Sequence, residues 1–404
     1  MSLRFATIRR FRFNPPQRIA AGLLVLFLAQ CFWLTAHQTL SERDYQYARC
    51  GRDMWERPSP LAGYFTSCGN IHDGVLAYRL AGLPLTLNVF WERVADNFRK
   101  PEDKVMQTLD ASASTWELRH QMTHVLLLLR LPFLAAGVVL GAALWWVSRR
   151  LFGNWGGYTA LTLYVFSPAI LRASITPNPE ILTAVGFFGG LYTCIGVAHA
   201  MQGPKSKWRP RIVLLTLAFG FTAAAHVSAF LLGLVLAIAF MAYVAEGRRA
   251  YLPTLVIVWV LGALFLLFAS YAFRPDAFSY VFRSDAASMG FSLNQAAALF
   301  SSLTNAGITI AAVAALGLYL AFRRSRYFGN TTPLLVAALL LVLVTTGVQT
   351  EIWLWALPFL LAFIGGVFAD VLETRYRKIF LWVTSAMVLA QAALCVAGLP
   401  LLAQ

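Results

Sequence analysis

Apolar runs of bilayer-spanning length, punctuated by short charged clusters, dominate the pattern of this chain; about 18 or more consecutive apolar residues read as a transmembrane helix. The first run extends from Ile19 to about Ala36, behind Arg4, Arg9, Arg10, Arg12 and Arg18. It is longer than a usual signal-peptide core and no small-residue cleavage site comes after it, so a retained first helix is expected. A polar segment, 37–121, then interrupts the pattern. A second helix is predicted over 122–148, ending at Arg149-Arg150. Residues 155–201 must cross twice to bring Arg150 and the cluster Lys205, Lys207, Arg209, Arg211 to one side, and Pro168, Pro177 and Pro179 mark the break. Residues 212–245 lie between two basic segments. A single helix of that length, about 50 Å at about 1.5 Å per residue, would end on the wrong side. Two short passes turning at Ala225-His226 fit instead. Helices over 251–273, 304–322, 332–348, 352–369 and 379–400 complete a count of eleven, with the two chain ends on opposite sides and no soluble domain after the last.

Composition agrees. The 404 residues are 59% hydrophobic and 13% charged, against about 45–50% and about 25% in soluble domains. The reading is a single all-α polytopic membrane domain, 1–404. The net charge of +15 suggests a nucleic-acid partner only until its placement is considered. Nineteen of the 33 Lys and Arg fall in segments the pattern puts on one side, with just three acids, Glu246, Asp370 and Glu373. That is the positive-inside bias of membrane helices, so that side is read as cytoplasmic and no nucleic acid is expected. The segment 37–121 is nearly neutral, with ten basic and eleven acidic side chains, and becomes the large external loop. A second external loop, 274–303, carries Arg274, Asp276, Arg283 and Asp285.

Of five cysteines, Cys31, Cys194 and Cys395 sit in apolar runs and read as packing residues. Cys50 and Cys68 share the external loop, where a disulfide can form. Phosphate-loop, dinucleotide, zinc and nucleophile-elbow motifs are all missing, so no cofactor or metal is expected.

Four groups carry candidate chemistry on the external side. Glu42 and Asp44 come just after the first helix at headgroup level, where partial desolvation favours a carboxylate as proton acceptor; a solvated loop is the other reading. His72 and Asp73 precede a stretch, 80–99, that can lie flat on the membrane with Phe90, Trp91 and Val94 dipping in; Asp73 can equally cap that helix. Arg130 lies within an apolar span and Arg172 just past the next. A guanidinium there either pairs with a carboxylate such as Glu180 or offers its planar fork to a phosphate. His226 stands at the predicted turn, as a capped turn residue or facing the same side.

In order and spacing these residues resemble the GT-C superfamily of polyprenyl-phosphate-sugar-dependent glycosyltransferases, in the protein O-mannosyltransferase and aminoarabinose transferase branch. The resemblance covers roughly 15–370. Glu42-Arg43-Asp44 with Tyr47 stands where that family has an acidic motif after its first helix. His72 matches a His-Pro-Pro-Leu stretch, with Asp73-Gly74 in place of the prolines. Arg130-Leu131-Pro132, Arg149–Gly153 and Ser167-Pro168 match further signatures, and Thr176-Pro177-Asn178-Pro179-Glu180 stands where Thr-x-Asp is common. His226 replaces a frequent Lys, and Glu351-Ile352-Trp353-Leu354-Trp355 before Pro358 lacks a familiar Arg. The resemblance implies a bundle of about eleven spans with interfacial helices in its first loop. It implies transfer of a sugar from a polyprenyl-phosphate donor to a lipid, glycan or protein hydroxyl on the extracytoplasmic face of the inner membrane. Asp44 is the expected base with Glu42 as alternative. His72, Asp73, Asn178, Glu180, His226 and Glu351 are expected around the substrates. Arg130, Arg172, Arg274 and Arg283 are expected on phosphate. A flippase or a non-catalytic relative is the other possibility.

Overall fold

The computed structural model describes residues 14–38, 41–56, 74–98, 126–201, 205–245, 250–274, 279, 290–293, 305–321, 328–345 and 352–403. In chain order its helices are α1 (Pro15–His37), α2 (Glu42–Glu56), α3 (Val75–Phe98), α4 (Leu126–Val165), α5 (Pro168–Ile175), α6 (Pro179–Ala200), α7 (Lys205–Ala225), α8 (Val227–Ala245), α9 (Leu252–Ser270), α10 (Ala306–Ala321), α11 (Phe328–Leu343), α12 (Leu357–Leu372) and α13 (Arg377–Leu402). Six described helices are long and apolar enough to cross a membrane: α1, α4, α6, α8, α9 and α13. Several are apolar all round. Val235, Leu261 and Trp382 face outward at 64%, 61% and 78% exposure, as side chains facing lipid do.

Helix α4 is the centre, packed by α1, α3, α5, α6 and α12. Small residues permit this. A side chain at Gly365 of α12 would strike the Gly156 carbonyl, and one at Gly137 would strike Ser174 of α5. The Gly137 carbonyl accepts a 2.6 Å bond from Tyr164 Oη. Gly153 alone breaks α4, at φ 77° and ψ −173°, three residues past the Arg149-Arg150 pair. The turn between α7 and α8 falls on His226 as expected. Phe219 and Gly233, seven residues to either side, touch, so the two helices fold back on each other, both against α6.

Three expectations need correction. The proline-marked break between α4 and α6 holds a helix, α5. Pro168 and Pro179 each sit in the opening turn of α5 and α6, where a missing N–H costs nothing. Two glutamines supply donors from afar to carbonyls at the end of α4, where the chain turns into α5. Gln30 Nε2 reaches the Val165 carbonyl at 3.3 Å and Gln391 Nε2 reaches that of Phe166 at 2.8 Å. The helix read over 332–348 stops at Leu343. Val344–Thr345 instead pairs antiparallel with Gly290–Phe291 of the second external loop, in keeping with the β-branched pair. The helix read over 352–369 opens as a 3₁₀ turn, Ile352–Trp355, before α12; Pro358 sits in the first turn of α12, where its missing N–H is tolerated.

The segment 37–121 contributes α2 and α3, which pack on each other. Their backbones meet at Gly51 and Gly82, where a Cβ on either would overlap the other's main chain. One turn away Tyr47 and Tyr78 stack at 4.1 Å and 7°. Gly82→Val is expected to destabilise the fold by about 1–3 kcal/mol through overpacking. A melting curve in detergent checks this, and an unshifted midpoint would show the contact to be dispensable.

Candidate functional site

Helix α2 starts four positions after Gln38, the C-cap of α1, and a reciprocal cap makes the start. Ser41 N and Oγ donate to Asp44 Oδ2 at 3.0 and 2.9 Å, and Asp44 N donates to Ser41 Oγ at 3.1 Å. Ser-x-x-Asp at 41–44 is a capping-box pattern and the sequence signal that could have predicted α2. The buried face of α2 is Asp44, Tyr47, Ala48, Gly51 and Met54, a helical i, i+3, i+4, i+7 stripe. Asp44 is therefore turned inward at 1% exposure, while Glu42, two residues earlier, is exposed.

The inward carboxylate meets Arg130, itself 1% exposed. Arg130 Nη2 donates to Asp44 Oδ2 at 3.0 Å. This pair joins α2 to α4 across the external segment. It also settles the partner of Arg130, which is Asp44 rather than Glu180. One carboxylate oxygen thus accepts three bonds. Asp44 Oδ1, Arg130 Nε and Arg130 Nη1 are buried with no hydrogen-bond partner among the described residues. A buried donor or acceptor left in this state costs about 1–3 kcal/mol. A ligand that takes a bond from Nε and Nη1 and gives a proton to Oδ1 would recover it.

Other predicted residues gather at the same end of the bundle. Helix α3 packs on α4, α6 and α7. Gly74, just before α3, donates its N–H to the Ala225 carbonyl at 2.9 Å and allows no side chain, since a Cβ would overlap the Ala224 and Ala225 carbonyls. The start of α3 is thereby clipped beside His226. That imidazole is 1% exposed; its Nδ1 is 3.0 Å from Ser228 Oγ and its ring stands edge-on to Trp355 at 4.8 Å. Trp355 comes from the 3₁₀ turn after Glu351, and α6 packs on that turn. Sequence reasoning missed Trp355, which looks like any other apolar residue in its run. Glu180 is buried in the first turn of α6. Asn178 caps that helix, its Oδ1 accepting from Ile181 N at 3.4 Å. Arg172 lies in α5 with its side chain exposed. Arg274 is half-buried after α9, preceded by Ala272 and Phe273 in the left-handed region at φ 53° and 56°. Arg79 of α3 ties this end of α9 to α2 and α3. Its Nε donates to the Ser270 carbonyl at 2.6 Å, and its own carbonyl accepts from Trp55 Nε1 at 2.8 Å. His72, Asp73, Cys68, Arg283 and Glu351 lie outside the described residues. Cys50 is disulfide-bonded, whereas Cys31, Cys194 and Cys395 are free and buried. Among the described residues no group of three His, Cys, Asp or Glu is arranged to hold a metal ion.

No family model and no curated protein matches the chain. Solved structures do. ArnT from Cupriavidus metallidurans in the apo state superposes with a TM-score of 0.57 at 15% identity, over 95% of this chain and 74% of that one. The same protein bound to undecaprenyl phosphate gives 0.54 at 16% identity, over the same shares. The architecture built above, a helical bundle with α2 and α3 packed on each other at one end, shares its fold with these ArnT structures.

Proposed function

We propose that this chain is a membrane glycosyltransferase that moves a sugar from a polyprenyl-phosphate donor to an acceptor hydroxyl, with Asp44 as the general base and Arg130 as the phosphate ligand. The observation that carries the reading is the buried Asp44–Arg130 pair with its three unsatisfied atoms. The ArnT structure bound to undecaprenyl phosphate supports a polyprenyl phosphate as the lipid partner.

The atoms themselves suggest the chemistry. Arg130 Nη2 and Ser41 hold Oδ2, so the carboxylate is oriented and Oδ1 is the oxygen left to take a proton. The acceptor O–H gives its proton to Oδ1 as its oxygen bonds to the anomeric carbon. The bond from that carbon to the donor phosphate oxygen breaks, and the lipid phosphate leaves with the electron pair. Charge grows on that phosphate in the transition state. Arg130 Nε and Nη1 are donors of fixed geometry for it, in a site shielded from water where such bonds are strongest. His226 lies on the acceptor or sugar side. The prenyl tail lies in the bilayer against apolar helix faces. The basic segments orient the bundle with its N-terminus in the cytoplasm, its C-terminus outside and the Asp44 end facing the exterior. This makes eleven passes in an inner membrane. The second cysteine of the external segment, Cys68, is the partner proposed for Cys50.

The test is chemical. Purified protein incubated with a polyprenyl-phosphate sugar and a hydroxyl acceptor should convert the donor to free polyprenyl phosphate. If in proteoliposomes the sugar changes leaflet while still attached to its carrier, the chain is a flippase and the reading fails.

A further inference from the structure

A chamber of about 400 Å³ lies between α4, α6, α8 and α11, walled by Phe188, Leu191, Ile195, Phe240 and Leu334, with Tyr192 and His199 among its few polar side chains. Its place along the helices separates it from the Asp44 site. Arg130 and Leu151 share the first part of α4, twenty-one residues apart, or about 30 Å at about 1.5 Å per residue. That is about the thickness of the hydrocarbon core, so the Leu151 end of the chamber lies toward the opposite membrane face. It runs from Phe188 to His199 along α6, about 16 Å on the same rise, which makes it long and narrow.

Two arginines stand near its Tyr192–His199 end, each held there by independent contacts. Arg150 lies over the Trp146 ring at 5.4 Å, and Trp146 meets the chamber residue Tyr192 edge-on at 5.5 Å. Arg211 donates to the Gly196 carbonyl at 2.6 Å, beside Ile195 and one turn short of His199. Both guanidiniums lie within electrostatic reach of the Tyr192 hydroxyl. Among the described residues no carboxylate lines the chamber. Tyr243, which also lines it, is 73% exposed, so this wall of the chamber reaches the outer surface of the bundle.

We propose that this chamber binds one anionic glycerophospholipid of the leaflet at the basic end, with Arg150 and Arg211 holding the phosphate and one acyl chain lying along Leu191 and Phe188. Charge complementarity selects an anionic head, since each Arg or Lys near a membrane surface adds appreciable attraction for anionic lipid. The narrow apolar depth selects a chain rather than a compact solute, and the volume falls in the range of about 300–1,000 Å³ common to ligand sites. The site is separate from the transfer chemistry and does not rest on it.

Native mass spectrometry of the full chain from mild detergent, offered equal phosphatidylglycerol and phosphatidylcholine, reads the outcome. One phosphatidylglycerol should be retained, with about tenfold preference. Ile195→Trp, at a half-buried lining position, should reduce retention of both lipids several-fold by filling the chamber. The double variant R150Q/R211Q should keep a lipid but lose the preference. Equal occupancy by the two lipids in the natural protein, retention of a polyprenyl phosphate instead, no retained lipid, or Ile195→Trp with unchanged retention would each overturn the proposal.

Discussion

Asp44→Asn is expected to lower sugar transfer by about 10²–10⁴-fold, the contribution of a positioned general base, while Glu42→Gln leaves the rate near that of the natural chain. The contrast rests on two residues of one helix turn: Asp44 points inward to Arg130, and Glu42 is exposed. Asparagine keeps an oxygen for Ser41 but not the charge, so Arg130 is left buried without its counter-ion. Removing one partner of a buried pair costs about 3–5 kcal/mol, and loss of fold has to be separated from loss of chemistry. Melting in detergent does so, together with Asp44→Glu, which keeps the charge and displaces the carboxylate by one methylene. A folded Asp44→Asn protein with full donor consumption would remove the proposed base.

Arg130 gives the second large effect. Arg130→Lys retains a positive charge but replaces a planar fork by a point donor. The KM for the lipid donor is expected to rise about tenfold or more, with a smaller change in melting than in Arg130→Gln. Arg130→Gln strands the Asp44 carboxylate and should be the less stable of the two by about 3 kcal/mol. Combining it with Asp44→Asn, which removes both charges, should recover most of that stability and none of the activity. Direct neighbours in one ion pair are where such non-additivity is found. Additive losses of stability in the double variant would mean that the 3.0 Å contact carries no coupling.

The pattern of apolar runs and basic clusters made most of the bundle legible. Helix starts and stops such as α1, α9, α10 and α13 lie within a few residues of where hydropathy and charge put them, because a bilayer demands long apolar helices and says little else. The turn at His226 was legible for the same reason, since two basic clusters had to share a side. What hydropathy does not encode is how broken helices satisfy their backbones. The existence of α5, the 3₁₀ turn at Ile352–Trp355 and the small strand pair at Gly290 and Val344 depend on local turn chemistry and tertiary donors. At the site, spacing singled out Asp44 and Arg130 separately, but they stand eighty-six positions apart in the chain. No periodic signal could choose Asp44 over Glu180 as the partner. The choice comes from the Ser41 cap, which starts α2 in a phase that turns Asp44 inward.

The bond from Gln391 to the Phe166 carbonyl gives the last helix a task beyond anchoring. A polypeptide cut before Arg377 would leave that carbonyl without its donor in hydrocarbon, where no water substitutes. The missing piece, supplied as a separate peptide in the same membrane, would carry the amide needed to dock. Gln38 Nε2 adds a second bond, to the Leu402 carbonyl, so a gene split at that point should yield two halves that find each other.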